Sequence, residues 1–124
     1  MTLQITPEQM AIYKRTARER QAHHEQEMRA RRESAWSVAR AAAPLLKERF
    51  GAKRVIAFGS LAHGAWFHAR SDIDLAVEGI EPGEFFHAWA TLDHLGNQFE
   101  IDLIDCAFAP TQLLDVIDEE GVEL

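Results

Sequence analysis

Two aspartates separated by one apolar residue, Asp72-Ile73-Asp74, follow a Gly59-Ser60 pair after an eleven-residue spacer in the stretch FGSLAHGAWFHARSDIDLAV. In a strand, residues i and i+2 share a face, so the two carboxylates are neighbours by construction. Like charges this close repel unless one is protonated or a cation lies between them. Ligands that are all oxygen suit hard ions such as Mg²⁺ or Mn²⁺. A third carboxylate is available in Phe99-Glu100-Ile101-Asp102-Leu103-Ile104-Asp105, where Glu100 and Asp102 share one face. Asp102 is the better placed, being central and flanked by apolar residues, and Glu100 and Asp105 read as solvated. Three acids on adjoining strands would hold two metal ions about 3.5 to 4 Å apart, the arrangement of metal-assisted phosphoryl chemistry.

Gly59-Ser60 supplies the complementary part. A glycine after a strand lets a ligand approach the backbone, and the Ser60 hydroxyl with free N–H groups at a helix start can hold phosphate oxygens. Gly64 relaxes the same turn. Neither a Walker Gly-Lys-Ser/Thr nor a G-x-G-x-x-G is present, so this is a different phosphate turn. Taken alone, the aspartate pair also suits a strand-entry turn capped at Ser71-Asp72 with Asp74 on a solvated edge. The Gly-Ser spacing and Asp102 favour a site.

The elements that must position these residues follow from periodicity. Val55, Ile56, Ala57 and Phe58 form a short apolar run that reads as a buried strand over 54–58, ending at Gly59. A turn or short helix over 60–66 precedes a second strand over 72–77. Pro82 and Gly83 open a helix through Phe85, Phe86, Trp89, Leu92 and Leu95, closed by Gly96 and read as core packing. A third strand covers 98–104 and a last helix 113–119. Ahead of these, Trp36, Ala39, Ala43, Leu46 and Phe50 recur at helical intervals, with Pro44 kinking that helix or starting a new one and Gly51 as its stop. The order from Ser34 is αβ(α)βαβα, which predicts an α/β fold. Its small mixed sheet has about three to four strands, with helices on one face and the site open on the other.

Residues 1–33 read as a polar helical extension and 34–124 as the domain. Thr6, Pro7 and Gln9 make a capping-box start, and Ile5 with Met10 a possible staple. From Lys14 to Glu33 there is almost no large apolar residue, which predicts a solvated helix that bridges or projects. Of 13 Lys and Arg, residues 1–54 hold 12 against 6 acids, a net +6; residues 55–124 hold 1 against 14, a net −13, summing to −7. An acidic half that handles an anionic ligand needs bound cations. One cysteine, Cys106, excludes an internal disulfide, and no apolar run has the length of a signal core or membrane span, which together predict a cytoplasmic protein.

Gly59-Ser60, the spacer, Asp72-Ile73-Asp74-Leu75 and a later strand aspartate together resemble the DNA polymerase β-type nucleotidyltransferase superfamily. The resemblance is nearest to its minimal nucleotidyltransferase (MNT) branch, often encoded beside HEPN-domain proteins. It covers about residues 36–124, including the ending from Leu113 to Leu124. By resemblance, Asp72 and Asp74 bind both metal ions, and Asp102 binds the catalytic one and helps deprotonate the acceptor. Gly59 and Ser60 bind the β- and γ-phosphates of ATP or another nucleoside triphosphate, with Ser71 also on the nucleotide. The reaction implied is in-line attack of a hydroxyl on the α-phosphorus. The implied acceptor is a HEPN-type toxin modified on a tyrosine, which makes this chain an antitoxin. A non-catalytic subunit that neutralises a partner by binding, or an enzyme modifying a small hydroxylated molecule within a homodimer, are the alternatives. Two features depart from the small relatives: the helical extension, and the scarcity of positive charge, since Arg70 is the only base after Arg54. The second lowers the activity to be expected.

Other motifs carry less. His63, His68, His87 and His94 match no metal-ligand spacing. Arg18 and His23 have the R-x4-H spacing of HEPN ribonucleases but stand on one polar helix without the bundle that chemistry requires. Arg29, Arg31 and Arg32 interleave with Glu25, Glu27 and Glu33 and lack an aromatic platform, which predicts a solvated face and not a nucleic-acid surface. The extension could also pair two copies of the chain.

Overall fold

The computed structural model describes residues 4–64, 67–96 and 98–124. Helix α1 spans Pro7–Phe50, strand β1 Arg54–Phe58, helix α2 Gly59–His63 and strand β2 Ile73–Glu78. After a 3-10 turn at Pro82–Glu84 come α3 (Phe85–Gly96), β3 (Ile101–Asp105), α4 (Thr111–Glu120) and the short β4 (Val122–Glu123). The predicted turn over 60–66 is α2, and its last two residues, Ala65 and Trp66, lie outside the described residues.

Sheet order is β3-β2-β1-β4. β1 runs antiparallel to β2, with Phe58 opposite Asp74, and antiparallel to β4. β2 and β3 are parallel, with Asp74 opposite Asp102. The sheet is therefore mixed, and strand alternation sorts its side chains. Val55, Ala57, Ile73, Leu75, Val77, Ile101 and Leu103 pack with α1 and α3 into the main core. Ile56, Phe58 and Ala76 point the other way and pack with Ile117 of α4. The second face is thus covered in part by α4 and is not simply open, a correction that follows from the single buried position, Ile117, of a short helix.

α1 begins as its sequence dictates: Thr6 accepts from the Gln9 N–H, and the Gln9 side chain accepts from the Thr6 N–H. It ends at Gly51, whose φ of 75° is left-handed backbone that glycine adopts without cost. Pro44 neither stops the helix nor begins a second one; it lies inside a single unbroken element. An interior proline costs about 3 kcal/mol. The neighbouring burial of Ala42, Ala43 and Leu46, each at most 4% exposed, offsets that cost. Four alanines along this inner face, with Ala35 and Ala39 completing the row, allow the helix to lie close against the sheet.

Three further expectations change. Packing of α1 begins before Ser34, because Arg31 and Arg32 are already half-buried, while Ile5 and Met10 stay exposed. Phe86 is 74% exposed, unlike Leu92 of the same stripe, which is buried. β3 starts at Ile101, three residues later than the apolar pattern suggests. No helix among the described residues is long and apolar enough to cross a membrane.

Candidate functional site

At the end of β1 the chain must leave the sheet beside β2, and Gly59 makes the turn with φ of 70°. A Cβ there would collide with the Asp74 carboxylate as well as strain the backbone, so two independent constraints fix glycine at this position. The turn read as phosphate-binding and the acidic strand are therefore in direct contact. Asp74 faces the α4 side of the sheet, beside Phe58 on β1 and in register with Asp102 on β3. Asp72 lies one residue ahead of β2 and, like Asp74 and Asp102, is half-buried.

Ser71 is 6% exposed. Its Oγ accepts from the His68 N–H at 2.8 Å, and its own N–H donates to the His68 carbonyl at 3.0 Å. These bonds fix the loop that feeds Asp72 into β2. Gly59 and Ser60 line a shallow hollow of about 290 Å³ together with His63 and Glu120. Asp102 lines a second hollow, of about 460 Å³, with Glu100, Trp89 and Phe99. Trp89 also donates its indole N–H to the Ile101 carbonyl at 2.7 Å, pinning α3 to the start of the strand that carries Asp102.

Electrostatics single out Asp74. Burial first, then the charges of Asp102 and Asp72, push its carboxyl up from 3.8 to about 6. The three acids thus share one field, and the strain is relieved either by a proton on Asp74 or by a cation between them. The donor set is all oxygen, which fits a hard divalent ion. Among the described residues, however, no three His, Cys, Asp or Glu side chains are gathered closely enough to hold an ion as they stand. A bound ion would have to draw the carboxylates together.

Two arginines reach this neighbourhood from α1. Arg32 donates through Nε and Nη2 to the Leu61 carbonyl of α2, at 3.3 and 3.0 Å, and Gly64 leaves room for its guanidinium. Arg31 stacks 4.4 Å over the Phe99 ring, just ahead of β3. The interleaved charges of residues 25–33 predict a solvated face for both, and the structure instead half-buries them. The signal was present: residues 28, 31 and 32 extend the buried row of Ala35, Ala39, Ala42 and Leu46 by one helical turn. Arg54, by contrast, is spent on Glu78 and Glu123 at the other end of the sheet.

Residues 40–122 match the family profile described as nucleotidyltransferase domain. The chain belongs to that family. Its chemistry is nucleotidyl transfer, and its fold is that of the minimal nucleotidyltransferases. A protein described as a candidate minimal nucleotidyltransferase is 30% identical, with a TM-score of 0.51 over 80% of this chain and 94% of that one. A toxin–antitoxin structure with AMP-PNP is 23% identical, with a TM-score of 0.56 over 67% of this chain and 69% of that one. A complex of tri-AMPylated Shewanella oneidensis HEPN toxin with MNT antitoxin gives 19% identity and a TM-score of 0.55, over 72% and 70% of the two chains. These last two share the fold. No curated protein matches the chain.

Proposed function

We propose that the chain transfers AMP from ATP to a hydroxyl of a HEPN-type partner protein, with pyrophosphate as the leaving group, and thereby acts as its antitoxin in the cytoplasm. In this reading residues 34–124 form the transferase unit and 1–33 an appended arm, with Arg31 and Arg32 gripping the unit. Asp72, Asp74 and Asp102 would hold two Mg²⁺ or Mn²⁺ ions, Asp102 also drawing the proton from the acceptor hydroxyl. Gly59 and Ser60 would take the β- and γ-phosphates, with Ser71 holding the loop beside them. The metal, when bound, supplies charge neutralisation of the phosphates and activation of the attacking oxygen. The protein's part is placement: a turn without a side chain at Gly59 brings the phosphate tail against the acids, which supplies proximity and orientation.

The observation that carries this reading is the contact of Gly59 with the Asp74 carboxylate, itself in register with Asp102. Incubation with labelled ATP, Mg²⁺ and the product of the neighbouring reading frame should put one or more AMP groups on that partner, and Asp72→Asn with Asp74→Asn should abolish the label. Label on a small molecule, or none at all on intact protein, would refute it. One observation favours a second reading, neutralisation by binding alone: the acids do not converge into a ready ligand set among the described residues. In that case the double variant neutralises the partner as well as the parent does.

A further inference from the structure

Among the described residues, two exposed apolar surfaces are bordered mainly by charges of opposite sign. The first is a hollow of about 460 Å³ between the head of α3, the end of β3 and the start of α4. Phe85, Leu103 and Leu113 line it, and Phe86 and Phe108, each 74% exposed, stand among its walls. Asp105 is part of the lining, Glu81 and Glu84 are exposed beside Pro82, and of the cations that reach this end of the sheet from the start of β1, Arg54 is paired with Glu78 and Glu123 while Lys53 lies against Gly79. The second surface is on outer α1, where Ile12, Tyr13, Thr16 and Ala17 share one helical face with Gln9 and Arg20. Ile12 is 55% and Tyr13 69% exposed. Over residues 9–20 this segment carries Lys14, Arg15, Arg18 and Arg20 against the single acid Glu19.

A solitary helix in water is marginal without a packed face, and residues 9–27 of α1 are exposed apart from Thr16. The Ile12 and Tyr13 patch is too short for a coiled coil with another arm, which needs about three or more heptads. An aromatic anchor of this kind is suited instead to a pocket, with charges placed around its rim. The arm leaves the hollow of its own chain uncovered, since Ile12, Tyr13, Phe86 and Phe108 are all exposed in the same molecule.

We infer that the hollow receives the arm of a second copy: Ile12 and Tyr13 of one chain enter beside Phe86 and Phe108 of another, basic flanks against acidic rim. Reciprocal exchange of arms closes a two-fold dimer and covers both patches at once. This interface is independent of the transferase reading.

The test uses the full chain. Sedimentation equilibrium or light scattering should give twice the 14.0 kDa of one chain. Tyr13→Glu and Phe108→Glu should each yield a folded monomer with the parent's circular dichroism, because both side chains are on the surface of the single chain. Mixing the two variants should restore a weaker heterodimer through the one contact left intact. In a Cys106→Ser background, Tyr13→Cys with Phe108→Cys should give an interchain disulfide mapped to positions 13 and 108. A parent chain that stays monomeric at millimolar concentration overturns the inference, as does a dimer that survives both glutamates. So does a bridge between the two copies of position 13 with none to 108, which would mean that the arms pair with each other, or a hollow filled only by a different protein.

Discussion

One carboxyl, that of Asp74, is held by this fold against its charged state. Asp74 combines burial beside Phe58 with the charges of Asp102 and Asp72, and its carboxyl is pushed up to about 6. The folded chain therefore holds this proton more tightly than the unfolded chain does. Its contribution to stability is fully present below the unfolded value and is lost as pH rises through about 6. Chemical denaturation of the metal-free chain should show stability falling between pH 3.8 and about 6, with Asp74→Asn flattening that segment. Mg²⁺ acts in the opposite sense, since an ion binds the ionised carboxyl and releases the proton, so its affinity should rise across the same window. The proximity behind these effects was legible in the sequence at Asp72, Asp74 and Gly59, because alternation in a strand and glycine's access to positive φ are local properties. It was not legible at Arg31 and Arg32. Their partners, Phe99 and the Leu61 carbonyl, are distant in sequence and meet them only in the folded chain.

Among the elements, α2 is held by a side chain of a neighbouring helix. A short helix leaves carbonyls at its end without intrahelical partners, and Arg32 supplies one from α1. Arg32→Met should loosen α2, raising amide exchange over residues 59–64 about tenfold, the equivalent of one hydrogen bond to a charged group. Exchange in the β1–β2 ladder should stay as it was. The order of helices and strands was readable from hydrophobic period, as β1, β2 and α3 illustrate. Pro44 was not, because its helical state is decided by the burial of Ala43 and Leu46, a tertiary effect that overrides local propensity. β4, two residues long, carries no periodic signal and exists through its pairing with Ile56 and Ala57.

At the scale of the whole molecule, the chain divides its charge between a basic α1 and an acidic remainder, a division visible in composition alone. The covering of one sheet face by α4 was not visible, since it depends on where the chain returns after β3. The core is built from residues 35 onward, and α1 ahead of Met28 contributes no buried side chain. Removing residues 1–27 should therefore leave the melting temperature, measured by calorimetry, within about 3 °C of that of the monomeric Tyr13→Glu chain, while the dimer disappears.

The unbroken helix has one more consequence. Its 44 residues span about 66 Å at a rise of about 1.5 Å each, against a radius of gyration of about 14 Å for a compact chain of this length. Such a rod adds friction out of proportion to its mass. Each molecule should tumble anisotropically, diffuse slowly and leave a sizing column early, ahead of compact proteins of the same weight.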